Sequence, residues 1–222
     1  MPAIQTPDAI TFDCYGTLID WSSGILAALA PFRHRIGIAD DAALLAAYAE
    51  HEHRVEAGAW LAYRDVLREV FCALVPGATD AEADTLPESV KHWRPFADTV
   101  PALRRLGGRA RLAIVSNIDD DLIASTLKKL EVEFAAVVTA EQVRSYKPGH
   151  AHFREVCARL KLEPARILHA AESRFHDIAP ARELGFPTVW VSRAGPSTSG
   201  VGDAVPDAEV ATLAELADLL DA

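Results

Sequence analysis

The sequence predicts an α/β fold, a Rossmann-like parallel-sheet core with an inserted helical cap domain, and three observations carry that expectation. Short apolar runs each end in polar residues, segments with helical spacing separate them, and one long stretch near the amino terminus holds helical patterns without a convincing strand. Strand, helix and strand in alternation require right-handed crossovers, so the repeat builds a parallel sheet covered on both faces.

The first run, Ala9 to Phe12, ends at Asp13 and passes into Tyr15-Gly16-Thr17, which reads as a buried strand entering a tight turn. From about Ser22 to Trp93 the alternation stops. Leu44, Leu45 and Tyr48 with His51 to Val55 form one amphipathic pattern, Tyr63 to Val75 a second and Ala81 to Trp93 a third. Residues 22–93 are therefore expected to be the helical cap, and residues 1–21 and 94–222 the α/β core. Pro95 helps return the chain to that core, because proline disfavours helix at the residue before it. Helical spacing at Asp98 to Leu106 leads to the run Leu112 to Val115 before Ser116. Two further helical segments follow, Asp120 to Leu130 and His150 to Leu160. The run Ile167 to Ala171 before Glu172, the helical Asp177 to Leu184 and the run Thr188 to Val191 before Ser192 complete the series. The segment Ala194 to Gly202 reads as a surface loop, since no Gly-Lys-Ser/Thr follows it to cradle a phosphate. Ligands of such sheets sit at the carboxyl ends of the strands, where the polar clusters fall.

A chain of 222 residues can bury a large core without disulfide or structural metal, and 50% hydrophobic with 24% charged residues is ordinary globular composition. The formal charge of −10 repels phosphate backbones and anionic lipid, so neither nucleic acid nor a membrane surface is an expected partner. A small anionic substrate remains compatible, because charge inside a cleft can oppose the global sign. Cys14, Cys72 and Cys157 lack C-x-x-C spacing, which points away from zinc and disulfides and fits a reducing compartment. With no export signal and no apolar run long enough to span a bilayer, a cytoplasmic location is expected.

Asp13 places a carboxylate where backbone N–H groups of a turn surround it, and a carboxylate so placed can attack a substrate and form an ester. Taken alone, an aspartate at a strand end is more often a turn cap. The other strand ends change the balance. Ser116-Asn117 closes the second strand, Lys147-Pro148 precedes a helix, and Glu172 with Asp177 follows a later strand. In order and spacing these resemble the four motifs of the haloacid dehalogenase superfamily: Asp-x-x-Gly-Thr, Ser/Thr, Lys and a terminal acidic cluster. The resemblance runs from Phe12 to about Arg193, with the helical insertion where that family places its smaller cap.

Most of that superfamily are magnesium-dependent phosphatases with an aspartate two residues after the nucleophile to protonate the leaving alkoxide. Here that place is Tyr15, and a phenol with an ordinary pKa of about 10 is a poor donor near neutrality. Halide departs without a proton. The string Phe12-Asp13-Cys14-Tyr15-Gly16-Thr17-Leu18 resembles the (S)-2-haloacid dehalogenase (type II) branch. That resemblance implies hydrolytic dehalogenation of a short 2-haloalkanoic acid through an aspartyl ester, without a cofactor, releasing halide and a 2-hydroxy acid. It implies catalytic roles for Asp13, Lys147, Asp177 and Ser116, and substrate contacts from Tyr15, Thr17, Asn117 and Ser173. It also implies a small organic acid as substrate and a homodimer as the oligomer.

Two alternatives stay open: a magnesium-dependent phosphatase, with Glu172 and Asp177 five residues apart as metal ligands, and a hydrolase of a related non-halogenated carbon electrophile. The chain departs from the branch in three places. It has Glu172-Ser173-Arg174 for Ser-Ser-Asn and Phe153 for a tyrosine, and no arginine stands at the cap position that pairs with the substrate carboxylate. Arg33, Arg35, Arg54 and Arg64 are the candidates for that last role.

Overall fold

Six parallel strands form the centre of the computed structural model, which describes residues 6–193 and 203–221. The loop expected at residues 194–202 lies outside the described residues. The strands are β1 (Ala9–Phe12), β2 (Arg111–Ser116), β3 (Ala136–Thr139), β4 (Ile167–Ala171), β5 (Thr188–Val191) and β6 (Ala208–Val210). They lie in the order β3-β2-β1-β4-β5-β6, every pair parallel. The chain winds outward from β1 to β3 on one side, then returns to β4 and winds outward on the other. The reversal point between β1 and β4 is where an open α/β sheet leaves a crevice for ligands.

Register places the chemistry there. Phe12 pairs with Ile114 on one side and Ala170 on the other, so the residues that follow all three strands emerge side by side. Four strands match the apolar runs of the sequence. The other two, β3 and β6, were not expected. With four and three residues each, they are too short to show a period.

Residues 21–93 hold the helices α1 (Trp21–Leu29), α2 (Asp41–Glu56) and α3 (Tyr63–Leu74), with several shorter turns. Local sequence sets their starts. The Asp20 carboxylate accepts the Ser23 N–H at 3.1 Å, and Asp40 accepts that of Ala43 at 2.8 Å, each satisfying an otherwise orphaned donor. On α3, Val66, Leu67, Val70, Phe71 and Leu74 form one buried stripe at helical spacing. The single helix expected at Ala81 to Trp93 is instead three short pieces, Asp80–Ala83, Thr85–Ser89 and Val90–His92. The ring of Pro87 would collide with the carbonyl of Ala83 in a continuous helix, and the break falls between those residues. Chain exit and return meet in a small antiparallel ribbon, Ile19 opposite Pro95 and Asp20 opposite Arg94. Gly24 on α1 lies under the ring of Trp93, where an added Cβ would sit 2.2 Å from a ring carbon.

Around the sheet pack α4 (Thr99–Gly107), α5 (Asp120–Leu130), α6 (Ala151–Leu160) and α7 (Leu213–Asp221). The helical segment is tied to the sheet domain by Asp119, whose two oxygens accept the Tyr63 and Arg64 N–H groups at 2.8 Å each. A carboxylate at the amino end of α3 is favoured by the helix dipole as well as by the hydrogen bonds. Among the described residues, no helix is long and apolar enough to cross a membrane.

Candidate active site

A cleft of about 800 Å³ opens between the carboxyl ends of the strands and the inner face of α2, and Asp13, Ser116, Asn117, Lys147, Ser173 and Asp177 all line it. Gly16, with φ at +100°, makes the turn after β1. The turn brings Thr17 back onto Asp13: its hydroxyl donates to Asp13 Oδ2 at 3.1 Å and accepts the Glu172 N–H at 2.9 Å. Arg193 closes the turn from behind, donating from Nε and Nη2 to the Thr17 carbonyl at 3.1 and 2.8 Å.

Lys147 sits between the two acids. Its ammonium donates to Asp13 Oδ1 at 2.8 Å, to Asp177 Oδ1 at 2.6 Å and to the Val115 carbonyl at 3.0 Å. An ammonium has three N–H donors, and all three are used. Burial alone would lower the pKa of Lys147, but the two carboxylates outweigh it and hold the group above its ordinary value. For Asp177 burial works upward, yet Lys147 and His169 leave it at about 2. Asp13 moves the other way: burial, aided by the charge of Asp177, raises its pKa against the pull of Lys147. One cation shared by two buried acids thus leaves Asp13 the more easily protonated of the two.

Asp177 is presented by a single π-helical turn, Arg174–Ile178, a geometry often associated with functional sites. His169 Nε2 donates to Asp177 Oδ1 at 3.1 Å, and its Nδ1 lies 3.0 Å from Thr11 Oγ1. Asn117 is committed to the lysine. Its Oδ1 accepts the Lys147 N–H at 2.8 Å, and its Nδ2 donates to the Lys147 carbonyl at 3.2 Å and Glu56 Oε2 at 3.5 Å. Ser116 ends β2 in the cleft wall, and its carbonyl accepts from His152 Nε2 at 3.3 Å. Ser173 caps the π-turn, accepting the His176 N–H at 3.0 Å. Tyr15 turns its ring to the cleft, but its hydroxyl lies 3.1 Å from that of Thr126 and its ring stands edge-on to Trp93.

Thr17, expected to contact substrate, is fully buried, does not line the cleft and spends its hydroxyl on Asp13 and Glu172. None of the four candidate arginines reaches the cleft either. Arg33 pairs with Asp41, Arg35 with Glu82, Arg54 with Glu50, and Arg64 with Glu88 and Asp121, all on the outside of the helices. Pairing with neighbouring carboxylates satisfies these cations locally.

The wall facing the sheet carries two acids, Glu52 and Glu56, that sequence reasoning missed. Tyr48 and Tyr63 both donate to Glu52 Oε1, at 2.8 and 2.5 Å, and Glu56 lies one turn further along α2. Burial, with the charge of Glu52 second, pushes the Glu56 carboxyl well above its ordinary range. The signal was available: Tyr48, Glu52 and Glu56 are spaced by four and share one helical face. Arg174 and Trp190, stacked with 4.9 Å from guanidinium to ring, line the sheet side. Glu172 also lines the cleft, yet among the described residues no group of three His, Cys, Asp or Glu side chains is arranged to hold a metal ion. The position between Asp13 and Asp177 is taken by the Lys147 ammonium.

The family model described as haloacid dehalogenase-like hydrolase matches residues 7–185. An (S)-2-haloacid dehalogenase of Pseudomonas putida is 26% identical over 98% of this chain and 99% of its own length. Among solved structures, the L-2-haloacid dehalogenase of Xanthobacter autotrophicus with chloropropionic acid covalently bound superposes with a TM-score of 0.82. It is 20% identical, over 97% of this chain and 98% of that one. A magnesium-bound HAD hydrolase of Bacillus subtilis superposes with a TM-score of 0.81, at 18% identity over 98% and 100%. At these identities the structural likenesses speak to the fold.

Proposed function

This chain belongs to the haloacid dehalogenase-like hydrolases, and on that premise we propose that it removes halide from a short 2-haloalkanoic acid through an ester on Asp13. The observation that carries the reading is the Asp13 carboxylate at the cleft floor, with one oxygen held by Lys147 and the other by Thr17, and no carboxylic acid two residues on. Asp13 attacks C2 from the side opposite the halogen, with inversion, and the halide leaves with the electron pair of the broken bond. Water oriented by Asp177 then attacks the ester carbonyl carbon. The water supplies the oxygen of the regenerated carboxylate and a proton for the departing 2-hydroxy acid.

On this reading residues 1–21 and 94–222 form the hydrolase core and 22–93 the cap, which closes over the substrate, excludes bulk water and aligns the reacting atoms. Ser116 and Ser173 stand at the strand ends to contact substrate, and the ring of Tyr15 packs against it. Asn117 contributes by clamping the Lys147 main chain. The names of similar proteins support the substrate class: the Pseudomonas relative is an (S)-2-haloacid dehalogenase, and the Xanthobacter structure holds chloropropionic acid covalently.

The test is a halide-release screen over chloro-, bromo- and fluoroacetate and both 2-chloropropionate enantiomers, with and without chelator. Halide release indifferent to chelation is the expected outcome. Metal-requiring release of phosphate from small esters, with no halide from any haloacid, would replace this reading with the phosphatase one.

A further inference from the structure

Among the described residues the cleft is lined by two side chains of lysine or arginine type, Lys147 and Arg174, and they are in opposite states. All three hydrogens of Lys147 are taken, by Asp13, Asp177 and the Val115 carbonyl. It has no donor left for a ligand. Arg174 has five N–H donors. Its Nε donates to the Ala204 carbonyl at 3.1 Å and its guanidinium plane lies on Trp190, while its Nη groups carry no hydrogen bond among the described residues. Trp190 is itself fixed, with Nε1 donating to the Glu172 carbonyl at 2.7 Å. A guanidinium stacked on an anchored indole and held at Nε is oriented in advance, and its Nη fork suits an incoming carboxylate.

The opposite wall cannot serve that purpose. It carries Glu52, an acceptor for two tyrosine hydroxyls, and Glu56, and every arginine considered for this role on the helical segment is turned outward into an ion pair. Glu52 offers only an acceptor already engaged by two hydroxyls, while Arg174 presents Nη donors toward an incoming carboxylate. The cleft is polarised from sheet to helices.

We propose that Arg174 is the carboxylate-binding, specificity-determining residue of this cleft, so that the acid end of the substrate is held by the sheet domain and not by the helical segment. This rests on the haloacid reading above. It makes the turn that presents Asp177 also the turn that orients the substrate, three residues away.

The experiment compares wild type with Arg174→Gln and Arg174→Lys on 2-chloropropionate and its neutral analogue 2-chloropropionamide. Calorimetric titration with propionate and propionamide runs alongside. Losing a charge-assisted contact is expected to raise KM for 2-chloropropionate roughly 10- to 100-fold in Arg174→Gln, with kcat changed much less. Arg174→Lys, which keeps the charge but not the fork, should fall between. The amide constants should not move, and propionate binding should weaken by the same factor as KM rises.

Unchanged KM for the acid, or equal shifts for acid and amide, would overturn the assignment, the second because it marks a prop for Trp190 and not a ligand. The binding arm keeps this proposal separate from the haloacid reading. If wild type releases no halide yet binds propionate in a manner abolished by Arg174→Gln, the reaction is wrong and the residue assignment stands. If haloacids are turned over and Arg174→Gln binds propionate as wild type does, the reverse holds.

Discussion

Replacing Lys147 with methionine probes the balance of charge at the centre of the site. Methionine keeps most of the volume and removes the one cation shared by Asp13 and Asp177, which are 12% and 1% exposed at their side chains. Breaking a buried pair by removing one partner costs about 3–5 kcal/mol, chiefly because the remaining charge is left uncompensated. Here two carboxylates lose one ammonium, so the upper part of that range is expected near pH 8. The sign with pH follows from which proton equilibria remain. In wild type, Asp177 is depressed to about 2, so its contribution is present above the ordinary aspartate range and fades only as pH falls toward 2. Lys147 is raised, so its contribution persists through neutrality and is lost only as pH rises through its folded value. Without the ammonium, burial raises both carboxylates above their unfolded values, and the variant loses stability as pH climbs through them. The deficit should therefore be larger at pH 8 than at pH 5. Urea unfolding at the two pH values measures it, and Lys147→Met/Asp177→Asn should recover part of the loss. A variant within about 1 kcal/mol of wild type at pH 8, far below the cost of an uncompensated buried charge, or one equally impaired at both pH values, would refute the reasoning.

Three further changes test separate parts of the account. Thr17→Val removes the donor to Asp13 Oδ2 and the acceptor for the Glu172 N–H, and should destabilise by about 1–3 kcal/mol. Because that donor favours the ionised form, the acid limb of kcat/KM for halide release should move to higher pH than in wild type. Gly24→Ala gains about 1 kcal/mol of helix propensity, yet puts a methyl 2.2 Å from a Trp93 ring that is 3% exposed and bonded through Nε1 to Ser89. A net loss of about 1–3 kcal/mol in urea is expected. Glu56→Gln deletes the carboxyl group on the helical wall, whose pKa burial raises. If halide leaves unassisted, kcat should stay within a fewfold of wild type, whereas a loss of about a hundredfold or more, the scale of general acid catalysis, would make Glu56 a proton donor.

Much of this arrangement was legible in the sequence because it is local. Asp13, Ser116 and Glu172 each follow an apolar run long enough to read as a strand, and a parallel sheet with its reversal point at β1 brings such ends together. The partnership of Asp13, Lys147 and Asp177 follows the order of the motifs. What stayed hidden depends on how the parts dock. Whether Glu52 and Glu56 look into a cleft or into water is decided by where α2 lies on the sheet domain, which helical periodicity does not encode. Arg174 was noted only as a departure, since its stacking on Trp190 is a contact across two strand ends. His169 had a readable trace, a lone imidazole inside the apolar run Ile167 to Ala171, and that buried position is what lets it reach Asp177. For Thr17 the sequence left open whether a hydroxyl four residues after Asp13 turns outward to substrate or back to the carboxylate. The turn at Gly16 selects the second.

A single turnover in heavy-oxygen water, with excess enzyme over 2-chloropropionate, tests most directly whether Asp13 is the atom that bonds to the substrate. The account expects mass spectrometry to find the label in the peptide that contains Asp13 while the first-turnover product stays unlabelled, because the hydroxyl oxygen of that product comes from the carboxylate. Label in the first product and none in Asp13 would mean that water attacks the carbon directly, and the ester route would be wrong.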